Sequence, residues 1–401
     1  MREGWRKGEF RDCVSEITSG KSVNSLDEPA TGNCVGVLKT SCVYNGFFDP
    51  RENKRVVENE VHLVKCNARK GSIIVSRMNT ASLVGASGLI EADYPNLVLP
   101  DRLWLVSVKS TTDVRWFACI IGSPEMRRRL SDAASGTSAS MKNISQESFL
   151  NIPILIPSLP EQHKVAEILR TWDEAIRKAS RIVELREAHY RALRDRLIDW
   201  QHGRRKALGR LVTPLSRPVP RPNASYNALS IRSHGKGTFI RLVNDPNSVA
   251  METLYVARNG DLIVNITFAW EGAIALVPPE HDGCLVSHRF PTFVPNVANV
   301  DARFLRHTLR MSRFTHLLGL VSPGGAGRNR VLNKGDFLEL EVPCPELRQQ
   351  EAITRALDTA EAAIAKATEY RDALQRQKRG LMQKLLTGEW AVQPDLETAD
   401  D

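Results

Sequence analysis

The chain has 401 residues, 42% of them hydrophobic, with a formal net charge of +9 and a pI of about 9.3. That is enough apolar side chain for two or three packed domains, which excludes a disordered tether, and the cationic excess points toward a polyanionic partner. Seven scattered cysteines without a C-x-x-C or zinc spacing, and no run near the roughly 18 apolar residues of a membrane span, exclude a disulfide framework, a zinc module and a membrane protein.

The opening MREGWRKGEF has no apolar stretch of the signal-peptide kind, so a cytoplasmic protein with reduced thiols is expected. SEITSGKS (15–22) is nearly a phosphate-binding loop, but Ser15 stands where the first glycine belongs and no buried strand leads into it, so nucleotide binding is not expected. Polar turns then carry Lys21, Lys54 and Arg55. KGSIIVSR (70–77) reads as a turn and a buried strand, and DVRWFACII (113–121) follows. A basic run, Arg127, Arg128 and Arg129, precedes SGTSASMKN (135–143), which offers Lys142 and Asn143. IPILIPSLPEQ (152–162) is an apolar run ending in prolines, a strand that delivers the chain to a helix start. From there Val165, Leu169, Trp172, Ile176, Ala179, Val183, Arg186, Tyr190, Leu193 and Leu197 keep a 4-3 alternation, a coiled-coil seam with one polar intruder, Arg186.

The pattern then restarts. RSHGKG (232–237) sets Arg232, Ser233, His234 and Lys236 among two glycines, and NGDLIVNI (259–266) echoes the earlier turn and strand. Asp282, Ser287 and His288 lie close in sequence but in no nucleophile-elbow motif, so no hydrolase is expected. In the segment opened by DARFLRHTL (301–309), Arg303, Arg306, Arg310 and Arg313 share one helical face, either a solvated surface or a contact with DNA or a partner. SPGGAGRNR (322–330) joins a glycine-rich turn to Arg328, Asn329 and Arg330, residue types that read guanine and adenine. A second seam closes the chain: Ile353, Leu357, Ala360, Ile364, Ala367, Arg371, Leu374, Lys378, Leu381 and Leu385.

The two seams are copies. LRTWDEAIRKA (169–179) and LDTAEAAIAKA (357–367) share six of eleven positions, and one fixed offset of 188 also places Phe149 on Phe337, Pro157 on Pro345 and Gln162 on Gln350. No gap is needed across about 50 residues, which marks an internal duplication. The expected fold class is α+β: two mixed α/β globular domains in tandem, each followed by a long helix, the helices pairing as an antiparallel coiled coil with pseudo-twofold symmetry. The expected segments are 1–157, a central helix 158–203, 204–344, a C-terminal helix 345–388 and an acidic flexible tail 389–401. Leu169, Trp172, Ile176, Val183, Leu193 and Leu197 would pair with Leu357, Ile364, Leu374, Leu381 and Leu385. A helix of roughly 40 residues is about 60 Å long, so such a pair acts as a ruler between two recognition modules, and duplex DNA is a pseudo-twofold ligand that fits it.

IPSLPEQHKVAEIL, VPCPELRQQEAITRAL and the closing LMQKLLTGEW resemble the specificity subunits of type I restriction–modification systems. SGKSVN, GVLKTS and ENKR resemble one type of first target-recognition domain in that family; IRSHGKGTFIR, FAWEGA, SHRFPTF and SPGGAGRNRVLNK resemble a type of second. The second boundary reads Glu346-Leu-Arg-Gln-Gln350 in place of the usual Pro-x-x-Glu-Gln. The resemblance implies a non-catalytic chain that reads a bipartite, asymmetric site in double-stranded DNA, one half-site per domain, with an unread spacer set by the helices. It implies docking of modification subunits, usually two, which hold S-adenosylmethionine and methylate adenine, and of restriction/translocase subunits where a system has them. No cofactor or metal is expected on this chain, and it lacks the Asp/Asn-Pro-Pro-aromatic tetrad of an adenine methyltransferase. Candidate DNA contacts are Arg328, Asn329, Arg330, Arg303, Arg306, Arg310, Arg232, His234 and Lys236 in the second domain, and Lys142, Asn143, Arg127, Arg128, Lys21, Lys54 and Arg55 in the first. The alternatives are a coiled-coil scaffold without DNA readout, or an autonomous DNA-binding regulator.

Overall fold

The computed structural model describes residues 4–44, 46–138, 141–324 and 330–392, with the backbone alone at 137 and 138. Most of the expected acidic tail lies outside these residues. The chain forms two compact units, Met1–Ala179 with Tyr370–Asp401, and Ser180–Glu369. The central helix (Leu159–Leu197) and the C-terminal helix (Leu347–Leu386) each give one half to each unit. Where the sequence suggested helices set apart from globular domains, each domain shares its core with half of both helices. Among the described residues no helix is long and apolar enough to cross a membrane.

In the first unit a four-stranded antiparallel sheet has the order Ser87–Leu89, Ile73–Ser76, Leu103–Val108, Val14–Ser19. Ile73, Ile74 and Val75 are wholly buried, as expected for an apolar run covered on both faces. A second sheet runs Asn53–Arg55, Gly36–Leu38, Tyr94–Val98, Asn67–Ala68 and contains one parallel pair. The core is aromatic: the Phe10 ring meets Phe117 and Phe149 edge-on, each at 5.0 Å between centroids. Val165, Ala166 and Leu169 enter this core from the central helix, and Met382, Leu385 and Leu386 from the C-terminal one. Further along, Ile176 and Ala179 pack with Leu374, so the two helix halves run antiparallel. Lys378, a polar interruption of the seam, bonds to Asp173 at 2.6 Å across the helices.

The second unit repeats the plan. Its four-stranded sheet, Ile274–Leu276, Leu262–Val264, Thr292–Pro295, Val212–Pro214, has the strand order of its counterpart. A five-stranded sheet runs Pro218–Pro220, Thr253–Val256, Leu285–Val286, Tyr226–Ile231, Thr238–Val243. Phe293, Phe304, Phe314 and Phe337 fill the core, and Leu357 of the C-terminal helix is fully buried in it, with Ile353, Ala360, Ile364, Leu193 and Leu197 packed alongside. Arg186, the intruder in the first seam, donates to the Ala363 carbonyl at 3.1 Å. Of the seam residues Leu169, Ile176, Val183, Leu357, Leu374 and Leu385 are buried; Trp172, Leu193, Leu197, Ile364 and Leu381 are half-buried.

The duplication extends to buried polar groups. Gln162 accepts a hydrogen bond from the Asp113 backbone N–H at 2.9 Å and donates to the Pro157 carbonyl at 3.0 Å. At the offset of 188, Gln350 accepts from the Asp301 N–H at 2.9 Å and donates to the Pro345 carbonyl at 2.8 Å. Asp113 and Asp301 are themselves N-caps, of helices Val114–Gly122 and Ala302–Leu309. Each glutamine, 1% exposed or less, ties the first turn of a long helix to the start of a helix in its own domain.

Candidate nucleic-acid interface

In the second unit the strands Tyr226–Ile231 and Thr238–Val243 end in the loop 232–237, closed by Arg232 N–H donating to the Gly237 carbonyl at 2.9 Å. Inside it the backbone is left-handed at His234 (φ 62°), Gly235 and Gly237. His234 is the single non-glycine of this kind among the described residues, a conformation histidine tolerates better than most. The loop is held by the turn Phe268–Gly272: His234 N–H donates to the Glu271 carbonyl at 2.7 Å, Gly235 N–H to the Gly272 carbonyl at 3.0 Å, and Ser233 Oγ to Glu271 Oε2 at 2.6 Å. Gly272 has φ 76°, and a Cβ there would lie 3.1 Å from Thr315 Oγ1. Arg232, His234 and Lys236 are left exposed.

On the other side of the same turn stands Arg330. Its segment is fixed by Val331 N–H to the Pro323 carbonyl (3.3 Å) and Leu332 N–H to the Ile266 carbonyl (2.8 Å). The Arg330 guanidinium carbon lies 5.4 Å from the centre of the Trp270 ring, and Trp270 Nε1 donates to the Thr267 carbonyl at 3.2 Å. Arg289 reaches Thr267 Oγ1 at 3.3 Å, and Phe268 is 37% exposed at the tip. Among the described residues none of Arg232, His234, Lys236, Arg289 and Arg330 forms an ion pair with an acid. Two loops expected separately to touch DNA thus share one anchoring turn. Arg328 and Asn329 lie outside the described residues. Phe268, Trp270, Glu271 and Arg289 lie in FAWEGA and SHRFPTF, segments that carry the family resemblance, but none of the four is among the DNA contacts expected from the sequence.

In the first unit the strand Met141–Asn143 pairs with Met78–Asn79. Lys142 Nζ donates to the Ser131 carbonyl at 3.0 Å, and Asn143 Oδ1 is shielded from solvent with no partner among the described residues. Arg127 braces the loop 79–84 from inside, donating to the Val84 carbonyl at 2.6 Å and the Ser82 carbonyl at 3.0 Å, and burial pushes its pKa down. Lys54 pairs with Asp27 at 2.8 Å and Arg55 with Glu28 at 2.7 Å. Lys21 and Arg128 are exposed and form no ion pair among the described residues. At the offset of 188, Lys142 holds the address that Arg330 has in the second unit.

The arginine face of helix Ala302–Leu309 turns toward the C-terminal helix. Arg303 lies 3.5 Å from Asp358, Arg306 pairs with Asp358 at 2.9 Å and Glu361 at 2.6 Å, and Arg310 pairs with Glu361. Arg313 instead stacks near Trp200, 5.6 Å from its ring centre. His307, fully buried, bonds through Nε2 to Asp358 at 2.9 Å and through Nδ1 to the Tyr190 hydroxyl at 2.8 Å. Burial pushes the His307 pKa down, against the pull of Asp358, and the Tyr190 pKa up. His307, Asp358 and Glu361 converge as metal ligands do, but the guanidiniums of Arg303, Arg306 and Arg310 already meet the two carboxylates, so the cluster is an ion-pair network. In the first unit the same addresses, 188 residues earlier or later, hold Cys119, Arg170, Asp173 and Lys378. There burial pushes the Cys119 thiol up to about 12, and Asp173 pairs with Lys378.

Residues 3–187 match the family described as Type I restriction modification DNA specificity domain. The chain is similar to the type I restriction enzyme EcoEI specificity subunit of Escherichia coli, 24% identical over 171 residues, which are 42% of this chain and 29% of that one. It is similar to the type I restriction enzyme MjaVIII specificity subunit of Methanocaldococcus jannaschii at 19% identity, covering 97% of this chain and 94% of that one. The fold is that of a type I restriction–modification S subunit from M. genitalium (TM-score 0.55, 13% identity, 95% and 96% of the two chains). A chain from a structure of type I R-M complex assembly and conformational transition gives TM-score 0.57 at 15% identity, over 97% and 99%. A match to the specificity domain over residues 3–187, a second unit of the same plan, and a full-length likeness in sequence and fold make the chain similar to the specificity subunits of type I restriction–modification systems.

Proposed function

We propose that this chain reads a bipartite, asymmetric site in double-stranded DNA, one half-site per unit, with an unread spacer set by the paired helices. The observation that carries this reading is the pair of units with one plan and unlike loops. The second unit gathers Arg232, His234, Lys236 and Arg330 around the turn 268–272, none of them ion-paired with an acid among the described residues, while the first carries Lys142 and Asn143 on the strand Met141–Asn143. Cations without carboxylate partners serve phosphates and base edges; those already paired hold the fold. By that rule Lys21, Arg128, Arg232, His234, Lys236 and Arg330 contact DNA, while Arg303, Arg306, Arg310, Lys54 and Arg55 support the surfaces that do; Arg127 joins the supports because its guanidinium is turned inward onto two backbone carbonyls.

Specificity subunits are non-catalytic, and the chemistry in this reading belongs to adenine-methylating modification subunits, two per chain, that bind S-adenosylmethionine and dock on this chain; restriction/translocase subunits join where the system has them. The test is co-expression with the neighbouring modification subunit in a methylation-free bacterial host, followed by mapping of methylated adenines. A single motif with two unlike halves and a fixed gap supports the reading. A complex that forms and binds methyl donor yet methylates no defined motif sinks it, and the chain is then a scaffold.

A further inference from the structure

Three arginines of the second unit lie over aromatic rings: Arg232 over Phe239 at 4.7 Å, where it also donates to the Thr238 carbonyl, Arg313 over Trp200 at 5.6 Å, and Arg330 over Trp270 beside the turn that anchors the 232–237 loop. Arg303, Arg306 and Arg310 each reach a carboxylate, and Arg289 reaches a hydroxyl. The one described contact of the Arg330 guanidinium is the face of Trp270, at 5.4 Å. A guanidinium laid on an aromatic ring keeps its in-plane N–H donors free, and a fixed plane with two parallel donors matches the O6 and N7 acceptors of guanine in the major groove. The platform is itself fixed. Trp270 Nε1 is tied to the Thr267 carbonyl, and Glu271, the next residue, carries the 232–237 loop through two hydrogen bonds.

We infer that Trp270 is a positioning residue that presents Arg330 to one guanine of the second half-site, so that the pair determines specificity at that base. This rests on the DNA-reading function proposed above. Trp270 touches no base; it acts by restricting Arg330 to a plane.

The experiment uses the chain in complex with its modification subunit, and duplexes carrying the mapped site with each guanine of the second half-site replaced in turn by 7-deazaguanine, which lacks N7. Wild type is expected to lose roughly 5- to 100-fold in affinity at one guanine and little at the others. Arg330→Ala and Trp270→Leu should each weaken binding to the unmodified site by a similar factor and show no further loss at that guanine. Trp270→Phe, which keeps an aromatic face, should restore most of the discrimination. A wild-type complex that binds its site specifically yet is indifferent to every 7-deazaguanine overturns the inference alone. So does a Trp270→Leu complex that weakens both half-sites equally, or a Trp270→Phe complex no better than Trp270→Leu. A complex with no sequence-specific binding at all overturns the DNA-reading function as well.

Discussion

Gln350 is the most economical place to test how each domain is fastened to its helix. Replacing it with leucine keeps much of the volume but removes both ends of the lock. The Asp301 N–H, 2.9 Å away, and the Pro345 carbonyl, 2.8 Å away, are then left in a site the side chain fills to the exclusion of solvent. Each of the two buried backbone groups without a partner costs about 1–3 kcal/mol, and the added methyl surface returns about 1 kcal/mol, so Gln350→Leu should destabilise the second unit by about 1–5 kcal/mol. For a unit of this size that is a fall in Tm of roughly 2–20 °C. Gln350→Glu keeps the acceptor for the Asp301 N–H but should do worse, because it buries a charge against the lone pairs of the Pro345 carbonyl. Differential scanning calorimetry measures the first quantity, and amide exchange across residues 302–309 shows whether the capped helix has come loose. If Gln350→Leu melts with wild type and the exchange of 302–309 is unchanged, the lock contributes nothing and the argument from buried polar groups is wrong here. Gln162→Leu should give the same loss in the first unit, with the exchange change at 114–122.

Two further outcomes follow from the ion-pair network. Arg306→Ala should lower stability by about 1–3 kcal/mol, as expected on removing a charge-assisted contact, while leaving the salt dependence of DNA binding unchanged. A reduction of the log–log salt slope by about 1 would instead put Arg306 on a phosphate. His307, whose folded pKa lies below its ordinary value because it is buried, stays neutral while the unfolded chain takes up a proton as pH falls through about 6.5. Its contribution is therefore intact above that pH and is lost as pH falls from about 6.5 toward the lower folded pKa. Wild type should lose more Tm between pH 7.5 and 5 than His307→Gln does; equal losses would mean that His307 does not titrate differently in the two states.

The register of 188 was legible because both helices must bury the same stripe and both domains must attach at the same point. Gln162 and Gln350 are polar residues that the repeat singled out, and the structure gives the reason: each satisfies one N-cap N–H and one proline carbonyl. The arginine face was read as open to solvent, DNA or a partner because its acids, Asp358 and Glu361, stand about 50 residues downstream on a different helix. Helical spacing shows that Arg303, Arg306 and Arg310 point one way; it does not show what they point at. The segment 268–273 carries the family resemblance, but its part as an anchor was not legible, for a related reason. Its role comes from backbone N–H groups of His234 and Gly235, whose partners no side-chain pattern announces.

The network around His307 draws Tyr190 from the central helix, Arg306 and Arg310 from the globular domain, and Asp358 and Glu361 from the C-terminal helix. All of these lie within Ser180–Glu369, an uninterrupted stretch of chain whose two ends fall in mid-helix. The portable module is consequently not the globular domain between its prolines but the longer cassette from one helix midpoint to the other. A graft cut at the domain edges would strand Asp358 and Glu361 without their arginines, whereas splices near 179 and 369 move the whole electrostatic circuit intact.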